Sequence, residues 1–99
     1  MPVSEVLSEY LNTRLHLATN TQMNNKSVLF SFVRELGPIQ IGNLTPQHVE
    51  RYFLGPKGIH HRMNASSYNK VRQRVDGFLK FCERRGDNRR PLLENVRPR

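Results

Sequence analysis

Residues 66–86 read SSYNKVRQRVDGFLKFCERRG, and their periodicity decides the fold class. Tyr68, Val71, Val75, Phe78, Leu79 and Cys82 recur at spacings of three and four, which places them on one stripe of an amphipathic helix. The opposite face carries Lys70, Gln73, Lys80 and Arg84, with Asn69 and Arg74 beside it. Ser66 or Ser67 is expected to cap the helix start and Gly86 to end it in the left-handed conformation. Arg84 and Arg85 sit in the last turn, where the helix dipole favours cations.

Working outward, the amino-terminal half supplies three more helical patterns. Ser4 opens the first, with Val6, Leu7, Tyr10, Leu11 and Leu15 at helical spacing and Glu5 in the first turn; it is expected to fade near Leu17, with His16 a surface residue in its last turn. Thr21 is expected to cap a second helix ending at Leu36, where Gly37 and Pro38 stop it. Val28, Leu29, Phe32, Val33 and Leu36 form its apolar face. Its polar face offers Asn20, Asn24, Ser27, Ser31 and Arg34, short polar residues that suit a face approaching something closely. Residues 39–42 are too few to found a sheet. Thr45 caps a third helix with Pro46 at its first position, Leu44 and Val49 form a hydrophobic staple, and Tyr52 and Phe53 continue the apolar face. Residues 55–65, GPKGIHHRMNA, read as a loop carrying Lys57, His60, His61 and Arg62. After Gly86 the chain turns polar and basic. Residues 87–99 read as a linker toward a further domain, with Leu92, Leu93 and Val96 able to pack locally. The expectation is one all-α domain over residues 1–86, a compact bundle of four main helices, followed by a basic linker.

The 99 residues carry a formal charge of +8. Through Glu50 there are three basic residues against four acidic ones; from Arg51 onward there are thirteen against four. That asymmetry points to a polyanionic partner, most simply nucleic acid. The basic helix lacks the exposed apolar wedge of an interfacial helix, so no membrane partner is expected. The single cysteine, Cys82, lies on the apolar stripe and reads as a buried small hydrophobe; no disulfide can form within the chain, which fits a reducing compartment. No signal peptide or apolar span is visible.

Catalytic patterns are missing. Four histidines and one cysteine do not compose a Cys/His zinc site, His60 and His61 diverge as loop neighbours, and no phosphate-cradling glycine loop, HExxH or GxSxG occurs. Asp76 reads as an intrahelical partner of Arg72 or Lys80 rather than a general base. The chain therefore reads as a binding domain with no cofactor, no metal and no catalytic residue. A helix lying in the major groove would use Lys and Arg on phosphates and Asn, Gln or Arg on base edges. Gly77 is placed on the same exposed face, where it would ease close approach to a backbone. The alternatives are a small helix-turn-helix regulator, which would want a shorter recognition helix after a tight turn, and a basic module for an acidic protein partner.

The order of these parts resembles the amino-terminal core-binding domain of tyrosine recombinases, the phage-integrase family. The resemblance rests on Thr21, on Leu36 and Gly37, on Leu44, Thr45 and Pro46 with Tyr52, on Ser66, Ser67, Tyr68 and Asn69, and on the Phe78 to Phe81 segment. The chain departs from that pattern near Asn25, where the family often has an aromatic, and at Arg90 and Pro91, where it usually has Asn-Pro, Asn88 being displaced. The resemblance implies a SAM-like helical bundle that clamps one side of a core-type recombination half-site in duplex DNA, with its second and fourth helices toward the major groove. It also implies other recombinase protomers as partners of the full-length protein, a monomeric isolated domain, and a cytoplasmic, DNA-associated setting in a bacterial host. The cutting and rejoining chemistry would belong to a catalytic domain outside this segment; Tyr10, Tyr52 and Tyr68 do not match its nucleophile. A native start at Met1 would leave no room for a preceding arm-binding domain. The expected DNA-binding residues are Lys70, Gln73, Arg74, Lys80, Arg84, Asn69, Ser66, Arg62, Lys57, Asn24, Ser27 and Arg34.

Overall fold

In the computed structural model, the backbone is described for residues 1–13 and 19–99, and side chains for residues 1–13 and 26–99. Among the described residues four α-helices run in the order α1 (Val3–Thr13), α2 (Thr19–Leu36), α3 (Pro46–Leu54) and α4 (Ala65–Arg85), with single 3-10 turns at Ile41–Asn43 and Ile59–His61. The bundle has a radius of gyration of 12.8 Å. Among the described residues strand pairing is confined to one antiparallel bridge between Pro2 and Gln40, where the Val3 amide donates to Ile39 and the Ile41 amide to Met1.

The six residues read as the apolar stripe of α4 are its buried residues: Tyr68, Val71, Val75, Phe78, Leu79 and Cys82. α1 contributes Val3, Val6, Leu7 and Tyr10, α2 Leu29, Phe32 and Val33, and α3 Val49, Tyr52 and Phe53. α1 and α2 both pack against α4, and α3 packs against α2. Aromatic rings link the layers: Tyr10 tilts against Phe78 and Phe81, Phe32 meets Tyr52 edge-on, and Phe53 meets Tyr68. Such pairs add to the area they bury through ring quadrupoles.

Helix ends obey local chemistry, with two corrections. α4 is capped by Asn64, whose Oδ1 accepts the Ser67 amide at 2.9 Å, rather than by Ser66 or Ser67. Asn is as good a cap as Ser, and the loop before it sets the register by one turn position. The second correction is at Thr21, which lies inside α2; what precedes Thr19 is outside the described residues, as are Leu15, His16 and Leu17. The predicted stops hold. Gly37 (φ 77°) follows α2, and Gly86 (φ 78°) ends α4 with the Asp87 amide reaching back to Cys82 at 2.9 Å. At α3 the staple residues Leu44 and Val49 are both fully buried. The Thr45 amide donates to His48 Nδ1 at 3.0 Å, so His48 completes a capping box in the place usually held by Glu or Gln.

Residues 87–99 do not run free of the bundle. Leu92 and Val96 are buried in the core, and Asn88 is buried beside the 3-10 turn at Ile41–Asn43. Asn88 Nδ2 donates to the Ile41 and Leu44 carbonyls, each at 2.8 Å. Its Oδ1 accepts the Arg90 amide at 3.0 Å, and the Arg90 guanidinium donates to Gly42 O at 2.7 Å. Buried packing therefore extends past Gly86, where these side chains add donors to the carbonyls of the short turn and its C-cap. The loop 55–65 is likewise anchored, by Ile59, which is 1% exposed.

Candidate nucleic-acid interface

Helical spacing divides the surface of α4 into three rows. The outermost holds Ser66, Lys70, Gln73, Lys80 and Arg84, all exposed. At 1.5 Å per residue this row spans about 27 Å. It carries three cations, an amide and a hydroxyl. Lys80 is bridged to Asp76 one turn back at 3.1 Å, an exposed pair of the kind that contributes little and leaves the ammonium in water. The intrahelical partner expected for Asp76 is thus Lys80.

The two flanking rows are engaged with the rest of the bundle. On the α1 side, Arg74 shares its row with Phe81 and Arg85 and is half-buried. Arg85 pairs with Glu9 of α1 and, through Nε at 3.2 Å, with Asp87; its guanidinium also lies 5.2 Å from the Phe81 ring. The hydrogen bond it donates to Glu9 holds the Arg85 guanidinium above its usual range. Gly77 belongs here rather than with a partner's backbone. A Cβ at Gly77 would stand 3.1 Å from the Tyr10 hydroxyl, so the close approach it allows is that of α1.

On the other flank, Asn69 and Arg72 face the tail. Asn69 Oδ1 accepts the Arg99 amide at 2.7 Å while its Nδ2 donates to Arg99 O at 3.0 Å, and Arg72 Nε donates to Val96 O at 2.9 Å. The Arg99 guanidinium donates to His60 O and Met63 O and lies over the Tyr68 ring. Asn69, expected to read a base edge, here has its amide committed to the tail.

The remaining expected residues fall into two groups. Ser27 and Arg34 are exposed on α2; Asn24 lies on α2 with its side chain outside the described residues. Ser31 is turned inward and hydrogen-bonds the Tyr52 side chain. Lys57 and Arg62 are exposed and come together with Arg51 around a groove also lined by Glu35, Leu36, His48, Tyr52 and Pro56. Arg51 was not singled out in the sequence. Only its place on the exposed side of α3, a turn from the loop, marks it. Phe30 was also missed. It is 45% exposed, with Lys26 Nζ 5.9 Å from its ring centre; its place in the largely apolar run of residues 28–33 hides its outward placement.

Burial accounts for the remaining shifts. Tyr52 and Tyr68 are raised by desolvation, and the Cys82 thiol is pushed up to about 12 by burial and by Asp87. Among the described residues no group of three or more His, Cys, Asp or Glu is placed to hold a metal ion, and no helix is long and apolar enough to cross a membrane. Comparison with protein-family models, with curated proteins and with solved structures finds no match to this chain.

Proposed function

We propose that this chain binds duplex DNA as the core-binding domain of a tyrosine recombinase, a SAM-like bundle that clamps a core-type recombination half-site. The observation that carries the reading is the exposed row of α4, Ser66, Lys70, Gln73, Lys80 and Arg84, on the half of the chain that holds all the excess positive charge. A helix of this width fits the major groove, where Lys70, Lys80 and Arg84 reach phosphates and Gln73 can pair with adenine N6 and N7. The order of the helices and the Thr45–Pro46 start of α3 resemble that family and support the same reading. Arg74, on the α1 flank, and Asn69, held by the tail, drop to supporting positions. The catalytic residues of such a recombinase would lie in a separate domain, and the segment itself needs no cofactor for binding.

The test is a fluorescence-anisotropy titration of the chain against duplex DNA over a series of salt concentrations. Affinity is expected to fall steeply with salt, and Lys70→Ala to shallow the log–log slope by about one unit. A slope indistinguishable from zero would remove the phosphate-contacting role of α4. Equal binding to an acidic polypeptide at the same salt would favour a protein partner instead.

A further inference from the structure

The groove between the end of α2, α3 and the 55–62 segment lies outside the exposed row of α4. It encloses about 360 Å³, within the range of small-ligand sites. Its rim carries Arg51, Lys57 and Arg62, all exposed, and among the described residues none of the three is in an ion pair. Unpaired cations converging on one concavity focus negative charge there. The floor is of another kind: Leu36 and the Tyr52 ring are apolar, and the exposed Pro56 extends that apolar surface. The Tyr52 side chain is hydrogen-bonded by Ser31, and burial raises its pKa, so the phenol stays neutral and does not repel an anion. His48, on the wall, accepts the Thr45 amide at Nδ1, which leaves Nε2–H as the donor of the neutral ring. Among the described residues Glu35 is the one carboxylate that lines the groove, and it opposes anion entry.

A cationic rim alone would accept any anion. A rim joined to an apolar floor selects an anion that carries a flat, weakly polar part. We infer that the groove between α2, α3 and Arg62 binds a nucleotide unit, its phosphate held by Arg51, Lys57 and Arg62 and its sugar or base laid on Leu36, Tyr52 and Pro56. The choice of a nucleotide over other phosphates rests on the nucleic-acid reading above. The unit can come from a free mononucleotide or from a phosphodiester strand beside the α4 footprint; the chemistry of recognition is shared.

The experiment titrates the ¹⁵N-labelled chain separately with inorganic phosphate, a 5′-mononucleotide and a short duplex. The mononucleotide is expected to move the amide resonances of Arg51, Lys57 and Arg62 saturably and to leave Lys80 and Arg84 in place. The Lys57→Ala/Arg62→Ala double variant should weaken that binding about tenfold or more, since it removes two charge-assisted contacts. Glu35→Gln should tighten it, and keeps the test informative if the double variant melts early. A duplex that also moves the groove resonances, with the double variant shallowing its salt slope by about two units, identifies a strand as the source. A duplex that leaves them still while the mononucleotide moves them identifies a free nucleotide. Inorganic phosphate binding as tightly as the mononucleotide overturns the role of the floor and with it the nucleotide. Silence at Arg51, Lys57 and Arg62 with all three probes overturns the site; a duplex response at Lys70, Gln73 and Lys80 would then leave the proposed function standing. Groove binding with those three silent toward duplex would remove the proposed function and keep this one.

Discussion

Helix α4 and the tail over residues 87–99 are both basic, and both lie against the same core, yet they are held by different physics. α4 buries a continuous stripe from Tyr68 to Cys82, and nearly all its tertiary stabilisation is apolar area removed from water. The tail buries two isolated aliphatic side chains, Leu92 and Val96, and one amide, Asn88. Its position is fixed instead by side chain to backbone hydrogen bonds: Asn88 to Ile41 and Leu44, Arg72 to Val96, Asn69 to Arg99. A stripe is insensitive to any one polar partner. A set of point anchors fails where an anchor is removed and leaves the helix beneath it standing.

That contrast can be broken most forcefully at Phe78, which is fully buried on the stripe and tilts against Tyr10. Phe78→Ala should cost about 3–5 kcal/mol by opening a cavity, lowering the melting midpoint of the whole bundle. A melt within a few tenths of a kcal/mol of wild type would mean that the stripe is not the core.

Asn88→Ala comes next. It removes two buried hydrogen bonds, leaving the Ile41 carbonyl only the Leu44 amide and the Leu44 carbonyl only the Arg90 guanidinium, each at 3.3 Å, and should cost about 1–3 kcal/mol. Amide hydrogen exchange should show the loss concentrated in residues 87–99 and the Ile41–Asn43 turn, with α4 still protected. Uniform loss across all four helices would show that tail and bundle unfold as one unit.

Cys82 sharpens the apolar side of the comparison through pH. Its folded-state pKa is raised from 9.0 to about 12, so the folded state holds the thiol proton more tightly than the unfolded state does. The resulting stability is fully present below pH 9 and is lost as pH rises toward 12, at up to about 1.4 kcal/mol per pH unit. Native protein should accordingly resist thiol reagents at neutral pH and react on unfolding. Cys82→Ser should flatten the alkaline limb measured by urea melts at several pH values.

The smallest stability effects are expected on the exposed row. Lys70→Ala and Lys80→Ala should change stability by a few tenths of a kcal/mol, even though Lys80 bridges Asp76. Their effect should instead appear in DNA binding, as a weaker, shallower salt dependence for every sequence. Gln73→Ala should differ, lowering discrimination at one base pair by roughly 1–3 kcal/mol with little change in slope.

What the sequence by itself determined follows from repetition and from local chemistry. The 3.6-residue period assigned every buried residue of α4, and Thr45, Pro46, Gly37 and Gly86 marked helix ends because caps and stops act within a few residues of their own backbone. The division of α4 into an apolar and a basic face needed nothing more. Tertiary structure decided what depends on partners far along the chain. Asn69 and Arg72 sit on the polar side of the helix in any sequence reading, and only the return of the tail, thirty residues after Asn69, takes them from solvent. Gly77 has the spacing of an exposed residue, and only α1 explains its missing side chain, through the Tyr10 hydroxyl. Arg51, Lys57 and Arg62 belong to three separate turns of sequence that share no period, and the fold alone brings them to one groove. Periodicity encodes which way a residue points from its own element; which element it then meets is set by chain closure, and chain closure leaves no regular mark in the sequence.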